Sequence, residues 1–140
     1  MLRRIMLTAE ERAREIKRGV ALRMAGKLRE ALEHFMLLQR NLPNDPEVGF
    51  YVAVTLDNLG RERQAIPRYH RVLQLDRQSP RTYEIQLYLA SSYLNIGSHL
   101  AAACSLRRAV PPGGRKSALH KELEIKLESA LKKRERIRRF

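Results

Sequence analysis

The segment GVALRMAGKLREALEHF at residues 19–35 returns twice in altered form, as AVTLDNLGRERQAIPRY at 53–69 and ASSYLNIGSHLAAACSL at 90–106. In each copy a small residue (Gly19, Ala53, Ala90) stands seven positions before a glycine (Gly26, Gly60, Gly97), and an alanine (Ala31, Ala65, Ala102) stands five positions after it. A larger apolar residue follows that alanine by four: Phe35, Tyr69 and Leu106. The glycines are spaced by 34 and then 37 residues. A period of this length indicates one supersecondary unit used repeatedly, each copy burying the apolar face of the next.

Working outward, the flanks of each copy read as helix. Thr8 and Glu11 form a capping box, and Ala13, Ile16, Val20 and Met24 recur at three- and four-residue intervals up to Gly26. Leu28, Ala31, Leu32, Phe35, Leu38 and Leu42 give a second amphipathic face, and Pro43 and Pro46 bracket a turn containing Asn44 and Asp45. Further helices are expected at about 46–59, 62–75, 80–96, 99–110 and 116–138, with no strand. Five of the six prolines (Pro43, Pro46, Pro80, Pro111, Pro112) fall between these spans, where a missing N–H costs nothing. Pro67 falls inside one and predicts a local kink without a break, because it lies near the helix start.

These residues resemble the tetratricopeptide repeat, a helix-turn-helix unit with a small residue in its first helix and alanine and an aromatic four apart in its second. The likeness covers about residues 12 to 110. It departs from the pattern in having no Trp, in placing Glu15 and Arg18 where the first helix should be apolar, and in Leu106 where an aromatic is expected. Polar positions in the first repeat suit an end repeat that no earlier helix covers. The third repeat is longer by three residues, assigned to the region of Ser79 to Thr82, and the run from Phe50 to Val110 is similar to a bacterial subgroup with an extended third repeat.

The resemblance implies an all-α solenoid with a right-handed superhelical course. Its parts would be an extension at 1–7, repeats within 8–110 (about 12–45, 46–79 and 80–110), a Pro/Gly linker at 111–115, and a capping helix with a basic tail at 116–140. It also implies that the first helix of each repeat lines a concave groove. Ile16, Phe50 and Leu87 share one frame there; Val20, Val54 and Ser91 share a second; Arg23, Asp57 and Leu94 share a third, with Asn58 and Asn95 beside the last two. The lysine and asparagine clamp that some members use for a terminal carboxylate is missing, since Ile16, Val20 and Tyr51 occupy its places. An amphipathic or extended peptide with apolar anchors is the expected ligand. The competing reading of Ile16, Phe50 and Leu87 is that they pack between neighbouring helices.

Composition limits the rest. A chain of 140 residues with 44% apolar content suits one domain of ordinary size. The formal charge is +13, of which residues 1–29 carry +6 and residues 132–140 carry +5, leaving +2 for everything between. The basic ends raise an alternative function, binding of nucleic acid or an anionic surface, with Lys132, Lys133, Arg134, Arg136, Arg138 and Arg139 as the phosphate contacts. Against it, the tail has only Phe140 to stack on a base, and Tyr51, Tyr83 and Tyr88 lie in the balanced middle.

A lone Cys104, no signal-peptide pattern and no membrane-length apolar run suggest a reducing, cytoplasmic setting. His34, His70, His99 and His120 lack metal-ligand spacing, and Gly113-Gly114-Arg115-Lys116-Ser117 lacks the upstream glycine and strand of a phosphate loop. No catalytic constellation, metal site or cofactor is therefore expected. The leading expectation is a protein-interaction scaffold. The face of Leu119, Leu123, Leu127, Ala130 and Leu131 on the last helix is read as a cap for the repeats, with a homodimer seam as its competing role.

Overall fold

The computed structural model describes residues 6–139 and is built of seven α-helices. They are α1 (Ala9–Met24), α2 (Leu28–Asn41), α3 (Pro46–Asn58), α4 (Glu62–Leu75), α5 (Thr82–Asn95), α6 (His99–Arg108) and α7 (Ala118–Arg138), with a short 3-10 turn at Pro112–Gly114 before α7. No strand occurs among the described residues. Most of the expected 1–7 extension (residues 1–5), and Phe140, lie outside the described residues.

The three glycines do the same work three times. Gly26, Gly60 and Gly97 sit at φ of 77°, 77° and 80°, a left-handed conformation that costs an L side chain about 1–2 kcal/mol. In the first hairpin the Gly26 amide donates to the Arg23 carbonyl at 3.0 Å and the Lys27 amide to the Leu22 carbonyl at 3.0 Å. The same pair recurs as Gly60 to Asp57 (2.9 Å) with Arg61 to Leu56 (2.9 Å), and as Gly97 to Leu94 (3.1 Å) with Ser98 to Tyr93 (2.8 Å). This doubly bonded glycine cap satisfies the last carbonyls of the first helix and turns the chain into the second.

Helix ends elsewhere differ from the expected spans by one or two residues, each for a local reason. Thr8 and Glu11 form the capping box at α1 as expected. Asp45 caps α3, accepting from the amides of Glu47 and Val48 at 3.0 and 3.2 Å, with Pro46 at the first helical position. The longer third repeat arises from a connection of six residues before α5 (76–81) against four before α3 (42–45), plus one more residue in α5 than in α3. Within that connection the Ser79 hydroxyl accepts from the Arg81 amide at 3.1 Å, so α5 starts at Thr82 and not at residue 80. α6 stops at Arg108, because the residue before Pro111 is steered away from helical angles and Ala109 is already extended. Ser117 caps α7 by accepting from the His120 amide at 3.2 Å. α4 runs unbroken through Pro67, which lies on its exposed side.

The chain divides into two compact units, Met1–Asp76 with α1 to α4 and Arg77–Phe140 with α5 to α7, where length alone suggested one domain. In the first unit Ile16, Leu38 and Val48 form a buried cluster, with Leu7, Val20, Leu42 and Tyr51 packed around it. Phe35 is fully buried and its ring stacks on that of Tyr51 with centroids 5.1 Å apart. It also fills the space beside Gly19, where an added Cβ would lie 2.4 Å from the ring. In the second unit Leu87, Ala90, Leu106, Ala109 and Leu123 form one cluster, flanked by Tyr83, Leu94, Leu119 and Leu127. α7 thus lays its Leu119, Leu123 and Leu127 face on α5 and α6, which is the capping placement expected of it.

Candidate functional site

The residues expected to line a groove divide by burial. Ile16, Phe50, Val54 and Leu87 are buried, at 7%, 3%, 4% and 3% exposure, and contribute to the core. Val20, Arg23, Asp57, Ser91 and Leu94 are half-buried, and Asn58 and Asn95 are exposed. The cause is steric: the first-frame position points between helices, so Ile16 meets Leu38 and Val48, and Leu87 meets Leu106 and Leu123. In the second unit Leu94 also packs on the cluster that α7 completes. The surface offered by the matched frames is therefore largely Val20, Arg23, Asp57 and Asn58 in the first unit, and Ser91 and Asn95 in the second.

In the first unit the polar members of that surface are held in place. Arg23 Nε donates to Asn58 Oδ1 at 3.0 Å, bridging α1 and α3. The Tyr69 hydroxyl donates to Asp57 Oδ2 at 2.9 Å, so the second-helix aromatic of this hairpin orients the carboxylate of its first helix. Leu106 stands in the place of Tyr69 in the next repeat and has no hydroxyl to give.

Near the start of α1 a charged cluster ties the same two helices. Arg12 Nε and Nη2 reach Asp45 Oδ2 and Oδ1 at 2.6 and 3.0 Å, and Nη2 reaches Glu47 Oε2 at 3.1 Å. Its hydrogen bond to Asp45 raises the Arg12 guanidinium above its ordinary value, outweighing burial. Burial alone would raise Asp45, yet the Arg12 contacts and the Val48 and Glu47 amides together hold it below the usual aspartate value. The geometry is two-pronged, the arrangement in which an arginine-carboxylate pair is strongest.

In the second unit the cap of α7 is held by a tyrosine hydroxyl and not by an arginine. The Tyr83 hydroxyl accepts from the Ser117 amide at 3.1 Å and lies 2.8 Å from Nδ1 of buried His120. Lys116 reaches both oxygens of Glu124 at 2.9 and 3.1 Å. Sequence reasoning missed this cluster, since Tyr83 and Ser117 are 34 residues apart and neither belongs to a local motif.

It also missed a groove of about 570 Å³ between α6 and α7, lined by Leu106, Arg107, Ala109, Lys116, His120, Glu124, Leu127, Glu128 and Leu131 among others. The only hint was that Leu131 sat at the edge of the apolar face.

The basic end of α7 is exposed throughout residues 131–139. Lys132 pairs with Glu128 at 3.1 Å and Arg139 with Glu135 at 3.8 Å, whereas Lys133, Arg134, Arg136 and Arg138 have no ion-pair partner among the described residues. The described residues contain no group of three His, Cys, Asp or Glu able to hold a metal ion. No helix among them is long and apolar enough to cross a membrane.

Comparison with known proteins places this geometry. Solved structures similar to the chain include the type III secretion translocator chaperone SycD of Yersinia enterocolitica, at 18% identity, TM-score 0.78, covering 93% of this chain and 90% of that one. They also include PcrH in complex with the chaperone binding region of PopD, at 22% identity, TM-score 0.76, covering 96% and 99%; PcrH is a protein of Pseudomonas aeruginosa. A third is the first repeat domain of Spaghetti bound to the HSP90 peptide SRMEEVD, at 16% identity, TM-score 0.77, covering 91% and 98%. At these identities the likeness concerns the fold. The comparison with curated proteins finds no match. The family model described as tetratrico peptide repeat matches residues 46–140, well over half the chain, and the same glycine cap and small-residue frame extend into residues 9–41. The chain belongs to the tetratricopeptide repeat family.

Proposed function

We propose that this chain is a protein-interaction scaffold and not an enzyme, holding a peptide with an apolar anchor on the face that α1 and α3 present in the first unit. The observation that carries this reading is the Arg23–Asn58 bridge of 3.0 Å beside half-buried Val20. Those three side chains lie in the frames of the first helix that the family uses for recognition, and they offer one apolar point flanked by fixed polar groups. A rigid surface of this kind loses little entropy when a ligand arrives. The known structures lend support: PcrH was solved with a segment of PopD, and the Spaghetti domain with an HSP90 peptide.

The test is a peptide library displayed on phage, panned against the wild-type chain, with the selected peptides measured by fluorescence anisotropy. Val20→Glu should weaken the best peptide about tenfold or more, as loss of a central apolar anchor does. Arg23→Ala should weaken it less. Phe50→Arg is unsuitable, because its 3% exposure means the charge would disrupt the core. Selected peptides that bind Val20→Glu and Arg23→Ala as tightly as wild type would remove this face from consideration.

A second reading, polyanion binding, draws on the unpaired cations Lys133, Arg134, Arg136 and Arg138. They spread over more than one face of the helix, and residues 118–139 contain no Phe, Tyr or Trp to stack on a base. Filter binding of a single-stranded RNA at two salt concentrations decides: retention lost at the higher salt supports this reading, and no retention at the lower salt eliminates it.

A further inference from the structure

We propose that α7 pairs antiparallel with α7 of a second copy of this chain, in a register centred on Leu131. This is independent of the α1 and α3 surface.

Beside the face packed on α5 and α6, α7 leaves a line of positions that is half-buried at Glu124 and Leu127 and exposed from Glu128 and Leu131 onward. Glu124, Leu127, Glu128 and Leu131 line the α6–α7 groove, and Leu131, Arg134, Glu135 and Arg138 line the depression that continues it towards the helix end. Among them Glu124, Glu128, Leu131, Arg134 and Arg138 follow each other at three- and four-residue steps, the spacing of a helix–helix seam. Leu131 stands at its middle and is 46% exposed.

Glu135 aside, which this register sets against Leu127, the charges on this seam change sign about Leu131. Glu124 and Glu128 lie seven and three residues before it, and Arg138 and Arg134 lie seven and three residues after it. An antiparallel pairing centred there sets Leu131 against Leu131 of the second copy, Glu128 against Arg134 and Glu124 against Arg138, each twice by the two-fold symmetry. A parallel pairing would set Arg134 on Arg134 and Glu128 on Glu128, so the charge order itself selects the antiparallel arrangement. Glu124 and Glu128 already have intrachain lysine partners, at 2.9 and 3.1 Å. Arg134 and Arg138 have none among the described residues, so the pairing brings acids to the unpaired cations.

Two chains of +13 repel at long range. That repulsion is screened within about 8 Å at physiological salt, whereas the seam pairs would be in direct contact.

Sedimentation velocity at micromolar concentration and physiological ionic strength tests the pairing. The wild-type chain should show a reversible monomer–dimer equilibrium, and Leu131→Asp should weaken it about tenfold or more, as a charge placed at the centre of an interface does. Glu124→Arg with Glu128→Arg in one variant, and Arg134→Glu with Arg138→Glu in another, should each be monomeric. Their equimolar mixture should recover a heterodimer, since the reversed positions 124, 128, 134 and 138 then face charges of opposite sign. Circular dichroism checks that the variants keep their helix content; should Leu131→Asp lose it, the charge-reversal mixture alone decides. A wild-type chain that stays monomeric, a dimer indifferent to all three variants, or a mixture that stays monomeric overturns the proposal.

Discussion

The first and second units solve one problem with different chemistry. In each, a third helix lies across a glycine-capped hairpin: α3 over α1 and α2, and α7 over α5 and α6. The residues that hold the start of that third helix occupy the same place in the repeat, because Arg12 and Tyr83 are 71 residues apart, the sum of the two glycine spacings. Arg12 grips Asp45, the cap of α3, with charge, and Tyr83 grips Ser117, the cap of α7, with neutral hydrogen bonds. The packing beneath also differs, with Phe35 stacked on Tyr51 in one unit and Leu106 beside Leu123 in the other. Position in the repeat fixes what must be done, and the side chain chosen fixes how it responds to mutation and pH.

The core difference yields the largest effects. Phe35→Ala removes a fully buried ring and should cost about 3–5 kcal/mol, a large part of the stability of a unit of ordinary stability. Leu106→Ala, at the matching place and 8% exposed, should cost about 2–3 kcal/mol. Amide hydrogen exchange read separately for α1 to α4 and α5 to α7 measures both. Equal loss of protection in both units for either variant would show that they unfold together and that the comparison is misdrawn.

Gly19 sharpens the same contrast. Ala53 and Ala90 carry a Cβ at the matching place, but at Gly19 that carbon would sit 2.4 Å from the Phe35 ring. Gly19→Ala should therefore lose about 1–3 kcal/mol by overpacking, despite alanine's better helix propensity. In a Phe35→Leu background the penalty should shrink or reverse, and thermal denaturation of the four proteins of that cycle gives the coupling. An additive result would mean that the ring does not set the size limit.

This dependence explains what could be read in advance. The hairpin bends were legible because only glycine holds φ near 77° cheaply, so Gly26, Gly60 and Gly97 betray the geometry by identity alone. The helices were legible from apolar spacing and from prolines kept outside them. The candidate surface was less so: Phe50 and Val20 look equally apolar in sequence, yet Phe50 is buried and Val20 half-buried. Which of two apolar positions faces a neighbour depends on helix crossing, which no local pattern encodes. The Tyr83–Ser117–His120 cluster was hidden for the same reason, since its members meet only after α7 docks.

The two latches provide the smallest and most specific test. Asp45 has its proton affinity lowered on folding, so its contribution is present above the ordinary aspartate value and is lost as pH falls through the lower, folded-state value. Arg12, raised on folding, would lose its part only above an already alkaline range, so the acid side alone is readable. Asp45→Asn keeps an oxygen for the cap but removes the charge, and should cost the first unit about 1 kcal/mol at neutral pH, since Arg12 is a third exposed. That difference from wild type should fade as acid neutralises Asp45. Tyr83→Phe should cost the second unit about 1 kcal/mol by leaving the Ser117 amide without its partner. This contact involves no carboxylate, so its cost should not follow that of Asp45→Asn into acid. Exchange protection in the two units followed from neutral pH into acid separates the latches: a Tyr83→Phe deficit that fades in parallel with that of Asp45→Asn would mean that charge, and not a neutral hydrogen bond, secures α7.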